Sequence, residues 1–183
     1  MKRRRYLIDD SIYPIFITTT IVYWIPVFSE SQIAIKALRI LEEHRAQMQV
    51  RIYGYVLMHS HLHVIIQTVK KGDISSFMRR WKSKTAVMIL EKCKNSHPGW
   101  IRRFAYSAGE YRRSNSHQVW QPRFDEKAIR DEEEFIAKLN YMHGNPLKHN
   151  LVDDCEDYPY SSFADYNGGK NGFVAVECEF RES

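Results

Sequence analysis

The chain reads as an α+β domain, a ferredoxin-like or RRM-like antiparallel sheet with helices on one face. Three observations predict it. The elements alternate as β-α-β-β-α-β-α, a two-residue link joins the second and third β-rich runs, and the intervening segments carry apolar residues at helical spacing. With 183 residues, 44% of them hydrophobic, the chain is long enough for one buried core and too apolar for disorder. A single domain over residues 1–183, with an extension from about residue 150, is expected.

The first β-rich run spans about Tyr13 to Val27, where Ile15, Ile17, Ile21, Val22 and Tyr23 surround Thr18 to Thr20. It lies in an uncharged stretch behind Lys2 to Arg5, as a signal peptide or membrane anchor would. However, Asp9 and Asp10 interrupt the junction, Pro14 and Pro26 break the run, and no small-x-small cleavage site follows. A buried strand is therefore expected, and no membrane span. Ser31 reads as the N-cap of a helix whose apolar positions are Ile33, Ala37, Ile40 and Leu41. Val50 to Met58 and Leu62 to Val69 read as strands joined at His59-Ser60. Asp73 opens a second helix with the stripe Ile74, Phe77, Met78, Trp81, Thr85 and Met88. Residues from about Cys93 to Ser116 show little periodicity and read as irregular. Val119 to Ile129 is a strand interrupted by Pro122, hence an edge or a bulged one. A third helix starts at Asp131 and is expected to stop at Gly144-Asn145-Pro146.

Three widely spaced cysteines without a Cys-x-x-Cys pair argue against a disulfide framework or a thiolate zinc site and for a reduced, cytoplasmic setting. Charge is unevenly placed. Residues 79–123 hold 11 basic and 2 acidic groups, whereas residues 124–183 hold 6 and 14. A polyanion is the partner such a cationic segment predicts. Arg79, Arg80, Lys82 and Lys84 fall on the polar side of the second helix, and Arg102, Arg103, Arg112, Arg113 and Arg123 follow. Trp100, Phe104, Tyr111 and Trp120 lie among them, supplying flat rings for unpaired bases while the cations track phosphates. The acidic tail is a candidate to lie across this basic surface.

The sharpest local feature is His61-Leu62-His63. Strand alternation sends His61 and His63 to one face and Leu62, Val64 and Ile66 to the other. The apolar set belongs against the helices, which puts both imidazoles on the open face, either as surface histidines or as ligands to one divalent metal. On the third helix, Phe135, Leu139 and Met142 form the buried stripe and Tyr141 lies off it, with Asn145 one turn further on. Two imidazoles, an amide oxygen and a phenol make a possible site. A hard oxygen beside two histidines suits Mg²⁺ or Mn²⁺, with zinc as an alternative. His143 falls on a different side of the helix.

These residues resemble the single-tyrosine, His-hydrophobic-His transposases of the IS200-like family. Tyr141 and Asn145 form a Tyr-x-x-x-Asn pair like that of the REP-associated branch, where the insertion-sequence enzymes more typically carry Gln. Trp120-Gln121, Ile129-Arg130-Asp131-Glu132, Tyr141 to Pro146, Leu151-Val152 and Tyr158 to Ser162 follow in the family's order, so the likeness runs from about residue 13 to 163. One departure is His59-Ser60, where the family usually has Pro-Asn; His59 is there a candidate extra ligand.

The resemblance implies cleavage and rejoining of single-stranded DNA through a 5′-phosphotyrosine on Tyr141. It also implies a metal held by His61, His63 and Asn145, and a folded DNA hairpin as ligand. A phenol with an ordinary pKa of about 10 is a poor nucleophile unless its anion is stabilised. Two other readings stand beside this one: a hairpin-binding protein of the same fold that has lost catalysis, and a histidine-metal hydrolase acting on RNA or DNA. Both a monomer and a homodimer are compatible with the sequence, and a DNA-handling protein of this kind would associate with the nucleoid.

Overall fold

The computed structural model describes residues 11–70, 73–111, 116–169 and 172–180. Arg112 and Arg113, and the basic residues Lys2 to Arg5, lie outside the described residues.

Four strands form one sheet: β1 (Ile15–Thr20), β2 (Arg51–Leu57), β3 (His61–Gln67) and β4 (Asp125–Ala128), in the order β2-β3-β1-β4. Every strand pair is antiparallel. This is the ferredoxin-like order expected from the alternation of elements. β1 ends seven residues before Val27, because the chain leaves the sheet in a tight turn with left-handed backbone at Tyr23 and Trp24, followed by a 3₁₀ turn at Val27–Ser29. β4 is a short edge strand that begins beyond Pro122, and Trp120 makes only an isolated bridge to Ile21.

Helices α1 (Ser31–Met48) and α2 (Asp73–Ser96) pack together on one face of the sheet. Ile33, Ala37, Ile40 and Leu41 of α1 are buried, as is the α2 stripe from Ile74 to Met88, against Ile17, Leu62, Val64 and Ile66. Ser31 is the first helical residue, not the cap: the Glu30 carbonyl accepts from Ile33 and Ala34, and no side chain caps the helix.

A correction concerns residues 93–116. Residues 98–110 form a regular helix, α3 (Pro98–Glu110), with Pro98 in its first turn. Phe104, Ser107 and Ala108 are buried along one side, with Ile101 packed beside them. That 3/4 spacing was present in the sequence, diluted by Gly99, Gly109 and the arginines.

The second sheet face is not open. Helix α4 (Glu132–His143), capped by the Asp131 carboxylate accepting from Glu134 N–H at 2.8 Å, lies across it. Phe135, Leu139 and Met142 bury against Phe16, Tyr53, Val56 and Ile65. A bulge in β2 turns Tyr53 and Gly54 both towards this helix. Gly54 is what lets α4 come so close, since a Cβ there would meet the Met142 methyl and lie 2.9 Å from Leu139 Cδ1. As expected, α4 ends at His143, with Gly144 as its C-cap, and a separate short helix, α5 (Asn145–Lys148), follows with Pro146 in its first turn.

Beyond a 3₁₀ turn at Cys155–Asp157 and the short α6 (Phe163–Tyr166), residues 172–180 run along the outer edge of β2. Glu177 N–H donates to the Ile52 carbonyl at 2.9 Å, Val174 is fully buried, and Phe180 stacks on Phe135. These residues therefore do not lie across the basic segment, because their apolar side chains are built into the two cores. A chain ending at residue 166 should unfold about 5 °C or more below the full chain by calorimetry, given the burial of a valine and an aromatic contact. An unchanged midpoint would mean the tail is only loosely attached.

Candidate active site

β3 presents His61 and His63 to the α4 face, their rings 4.8 Å apart and nearly perpendicular. Neither is on the surface: His61 is 9% exposed and His63 4%. Phe16 stacks on His63 at 5.5 Å, and Trp24 meets His61 at 5.4 Å. Each imidazole is fixed through Nδ1. His63 shares a hydrogen bond with the Thr18 hydroxyl at 2.8 Å, and His61 with the Ser60 hydroxyl at 3.3 Å. Nε2 is then the nitrogen left on each ring for a ligand. Burial, aided by His149, holds His61 down at about 4. Burial, with His61, His149 and Lys138 nearby, holds His63 at about 3. Both rings are neutral at pH 7, the form in which imidazole binds a metal.

Tyr141 stands off the buried stripe of α4, 49% exposed, with its ring 5.8 Å from His63 and 6.1 Å from Phe16. The Lys138 ammonium lies over both Phe16 (5.2 Å) and Tyr141 (5.5 Å). Asn145, one turn below the tyrosine, is buried and donates from Nδ2 to the Tyr141 carbonyl at 2.9 Å, so Oδ1 is the atom left to accept or coordinate. Among the described residues no three His, Cys, Asp or Glu side chains are grouped to hold a metal. His59 therefore does not join the pair; it serves the hairpin, where its carbonyl accepts from Phe28 N–H. Two neutral imidazoles and an amide oxygen remain, a donor set that suits a divalent cation.

The cationic residues separate into groups. Arg79, Arg80 and Lys84 line a groove of about 690 Å³ between α1 and α2, on the sheet face away from the imidazoles. Lys84 is also paired with Glu43 at 2.6 Å. Lys82 is committed to structure: it donates to the carbonyls of Gln121 (2.6 Å) and Arg123 (3.2 Å) and lies over the Trp120 ring. Arg102 and Arg103 are exposed on α3, and Arg123 is exposed before β4. Trp120 is corrected from a base-stacking ring to a core residue: it is 3% exposed, packs on Trp81 and Phe28, and donates to Thr85 Oγ1. Phe104 is likewise fully buried. Lys138, His149 and Trp24 were not singled out in the sequence. Lys138 carried the only readable signal, a cation one turn before Tyr141.

The model of the family described as "Transposase IS200 like" matches residues 13–138, which takes in the histidine pair and ends just short of Tyr141. The chain belongs to the IS200-like transposase family. It is 30% identical over 108 residues to a Haemophilus influenzae protein assigned to the REP-associated tyrosine transposases, covering 58% of this chain and 55% of that one. It is 30% identical over 112 residues to the REP-associated tyrosine transposase of Escherichia coli, covering 61% and 53%. The IS200-like chain thus spans about half the length of the curated relatives it matches. Its fold is that of a REP-associated tyrosine transposase solved bound to a REP hairpin, with TM-score 0.66, 23% identity, and coverage of 100% of this chain and 96% of that chain. No helix among the described residues is long and apolar enough to cross a membrane.

His143 belongs to the scaffold. Its Nε2 and the Ser162 hydroxyl share a hydrogen bond at 2.9 Å, and burial lowers its pKa from 6.5 to about 4. Because the folded value lies below the unfolded one, the unfolded chain binds more protons between these two pH values. Stability present above pH 6.5 is lost as pH falls towards 4. Thermal midpoints measured from pH 7.5 to 4.5 should fall more steeply for wild type than for His143→Gln. Parallel curves would show that this ring already carries a proton in the fold.

Proposed function

We propose that this chain is a metal-dependent single-strand DNA transesterase of the REP-associated kind, which binds a DNA hairpin and cleaves and rejoins the adjoining strand through a 5′-phosphotyrosine on Tyr141. The observation that carries the reading is the seating of an exposed phenol against a buried pair of neutral imidazoles, with an ammonium over its ring. His61 and His63, through Nε2, and Asn145, through Oδ1, would hold the metal, Mg²⁺ or Mn²⁺. The bound ion supplies Lewis-acid polarisation of the scissile phosphate.

The chain's own groups account for the rest. Tyr141 Oη attacks the phosphorus, the bond to the 3′-oxygen breaks, and the strand leaves with a free 3′-hydroxyl. Lys138 offsets negative charge as the phenol loses its proton and as the phosphate gains charge. The phosphotyrosine keeps the energy of the phosphodiester, so attack by a 3′-hydroxyl restores DNA without ATP. Thr18 and Ser60 hold the two imidazoles in orientation. The His59-Ser60 departure supports no loss of function, because Ser60 itself contacts His61 and the hairpin closes normally, with Met58 N–H donating to the His61 carbonyl at 2.8 Å. With α4 seated on its own sheet, Tyr141 reaches His63 within one chain, so a monomer would hold a complete site. The exposed Arg79, Arg80, Arg102, Arg103 and Arg123, with Lys84, are proposed to meet DNA phosphates. The protein would act on chromosomal DNA in the cytoplasm.

Incubation with Mn²⁺ and labelled hairpin-bearing single strands, followed by a denaturing gel, tests the reading. A covalent protein–DNA band is expected, absent with EDTA and in Tyr141→Phe, which still binds the hairpin. A mixture of Tyr141→Phe and His63→Ala should not regenerate the band, whereas exchange of tyrosine helices between subunits would. Binding without a band under every metal would leave the catalytically silent binder, and cleavage by Tyr141→Phe would point to a hydrolase. In the same assay Lys138→Ala should lower the rate of adduct formation about 10- to 100-fold with hairpin affinity little changed. An unaltered rate would remove Lys138 from the reaction.

A further inference from the structure

Between β1 and α1 the chain makes a turn with an unusual division of labour. Ile21, Val22 and Ile25 are buried, while Tyr23 and Trp24 between them are turned outward. The turn is pinned by Ile21 N–H to the Ser60 carbonyl (2.8 Å) and Val22 N–H to the Val119 carbonyl (2.9 Å). Tyr23 and Trp24 both occupy the left-handed region, with φ of 54° and 56°. Two successive residues with a Cβ are strained there, and such strain persists only where the surrounding structure enforces it. The outcome is an indole that is 60% exposed and leans on His61, 5.4 Å between ring centres at 77°. Trp81 and Trp120, by contrast, are packed in the core. The Tyr23 hydroxyl is tied to Glu110 at the end of α3. From there Tyr106, 68% exposed, and Arg102 and Arg103 line a trough of about 710 Å³ with Tyr23.

We propose that Trp24 is the platform on which the base flanking the scissile phosphate stacks, and that this α3 trough carries the unpaired strand away from the histidine pair. This rests on the reading of the site as a handler of single-stranded DNA. An unpaired base offers a free π face to an exposed indole, whereas a paired base is already stacked within its duplex. The phosphates that accompany it find the adjacent guanidinium groups of Arg102 and Arg103 on one helix. Stacking here would fix the nucleotide beside the imidazoles and thus register the strand against Tyr141.

The test uses the full chain in the Tyr141→Phe background, which separates binding from cleavage. The probes are DNA hairpins with a four-nucleotide single-stranded flank, carrying 2-aminopurine at each flank position in turn, and the same hairpins without a flank. Trp24→Asn keeps a residue that tolerates the left-handed backbone, and Trp24→Tyr restores a ring. Quenching of 2-aminopurine at one flank position is expected on binding, lost in Trp24→Asn and recovered in Trp24→Tyr. Affinity for the flanked hairpin should fall about 5- to 150-fold in Trp24→Asn, with the unflanked hairpin bound as before. Unchanged quenching and affinity, no quenching at any position, or equal weakening of both hairpins would overturn the proposal. If the Tyr141-competent protein forms no covalent band while the Trp24 dependence holds, the transesterase reading fails and the strand path stands. A covalent band with Trp24 variants that bind like wild type gives the reverse.

Discussion

The arrangement depends on one packing event, the seating of α4 across the sheet face opposite α1 and α2. Phe135, Leu139 and Met142 bury in the pocket formed by Phe16, Tyr53, Val56 and Ile65, and the missing side chain at Gly54 sets the depth. At 3.6 residues per turn, a helix seated on that stripe has only one direction for residue 141, sideways along the sheet towards His63. His143 locks the same helix from below through Ser162, whose N–H donates to the Tyr55 carbonyl of β2. Tyr141 is thus positioned by apolar packing and one buried hydrogen bond, with no loop between it and the imidazoles it faces.

That packing also makes the electrostatics. Covering the second face removes water from His61 and His63 and keeps both rings neutral, while the Lys138 ammonium lies over the tyrosine at the rim. Neutral donors inside and an ammonium at the rim would let a metal and a phosphate be held side by side without competing. The fold divides the cationic segment that looked continuous along the chain. Arg79 and Arg80 sit on the helical side of the sheet, whereas Arg102 and Arg103 flank the turn that reaches His61. A ligand touching both sets would have to wrap around the domain.

Much of the fold and the centre of the site were legible in the sequence, because both rest on local periodicity. Alternation along β3 sent His61 and His63 to one face, and the stripe of α4 left Tyr141 off the buried side; the first three strands, three helices and the hairpin at His59-Ser60 follow from the same rules. Tertiary contacts decided the remainder. Whether the face carrying the histidines is open depends on where α4 docks, and that contact joins residues about 80 positions apart. Trp120 and Trp24 are the same residue type in comparable settings, yet one is buried between Trp81 and Phe28 and the other is held in solvent by a strained turn. Lys82 shares a polar helix face with Arg79 but is consumed by two carbonyls. The acidic tail, whose charge suggested the basic surface, follows Val174 and Phe180 to the β2 edge instead. Composition and period determine which element forms and which way its side chains alternate; which of those side chains stay in water is set by partners distant in the chain.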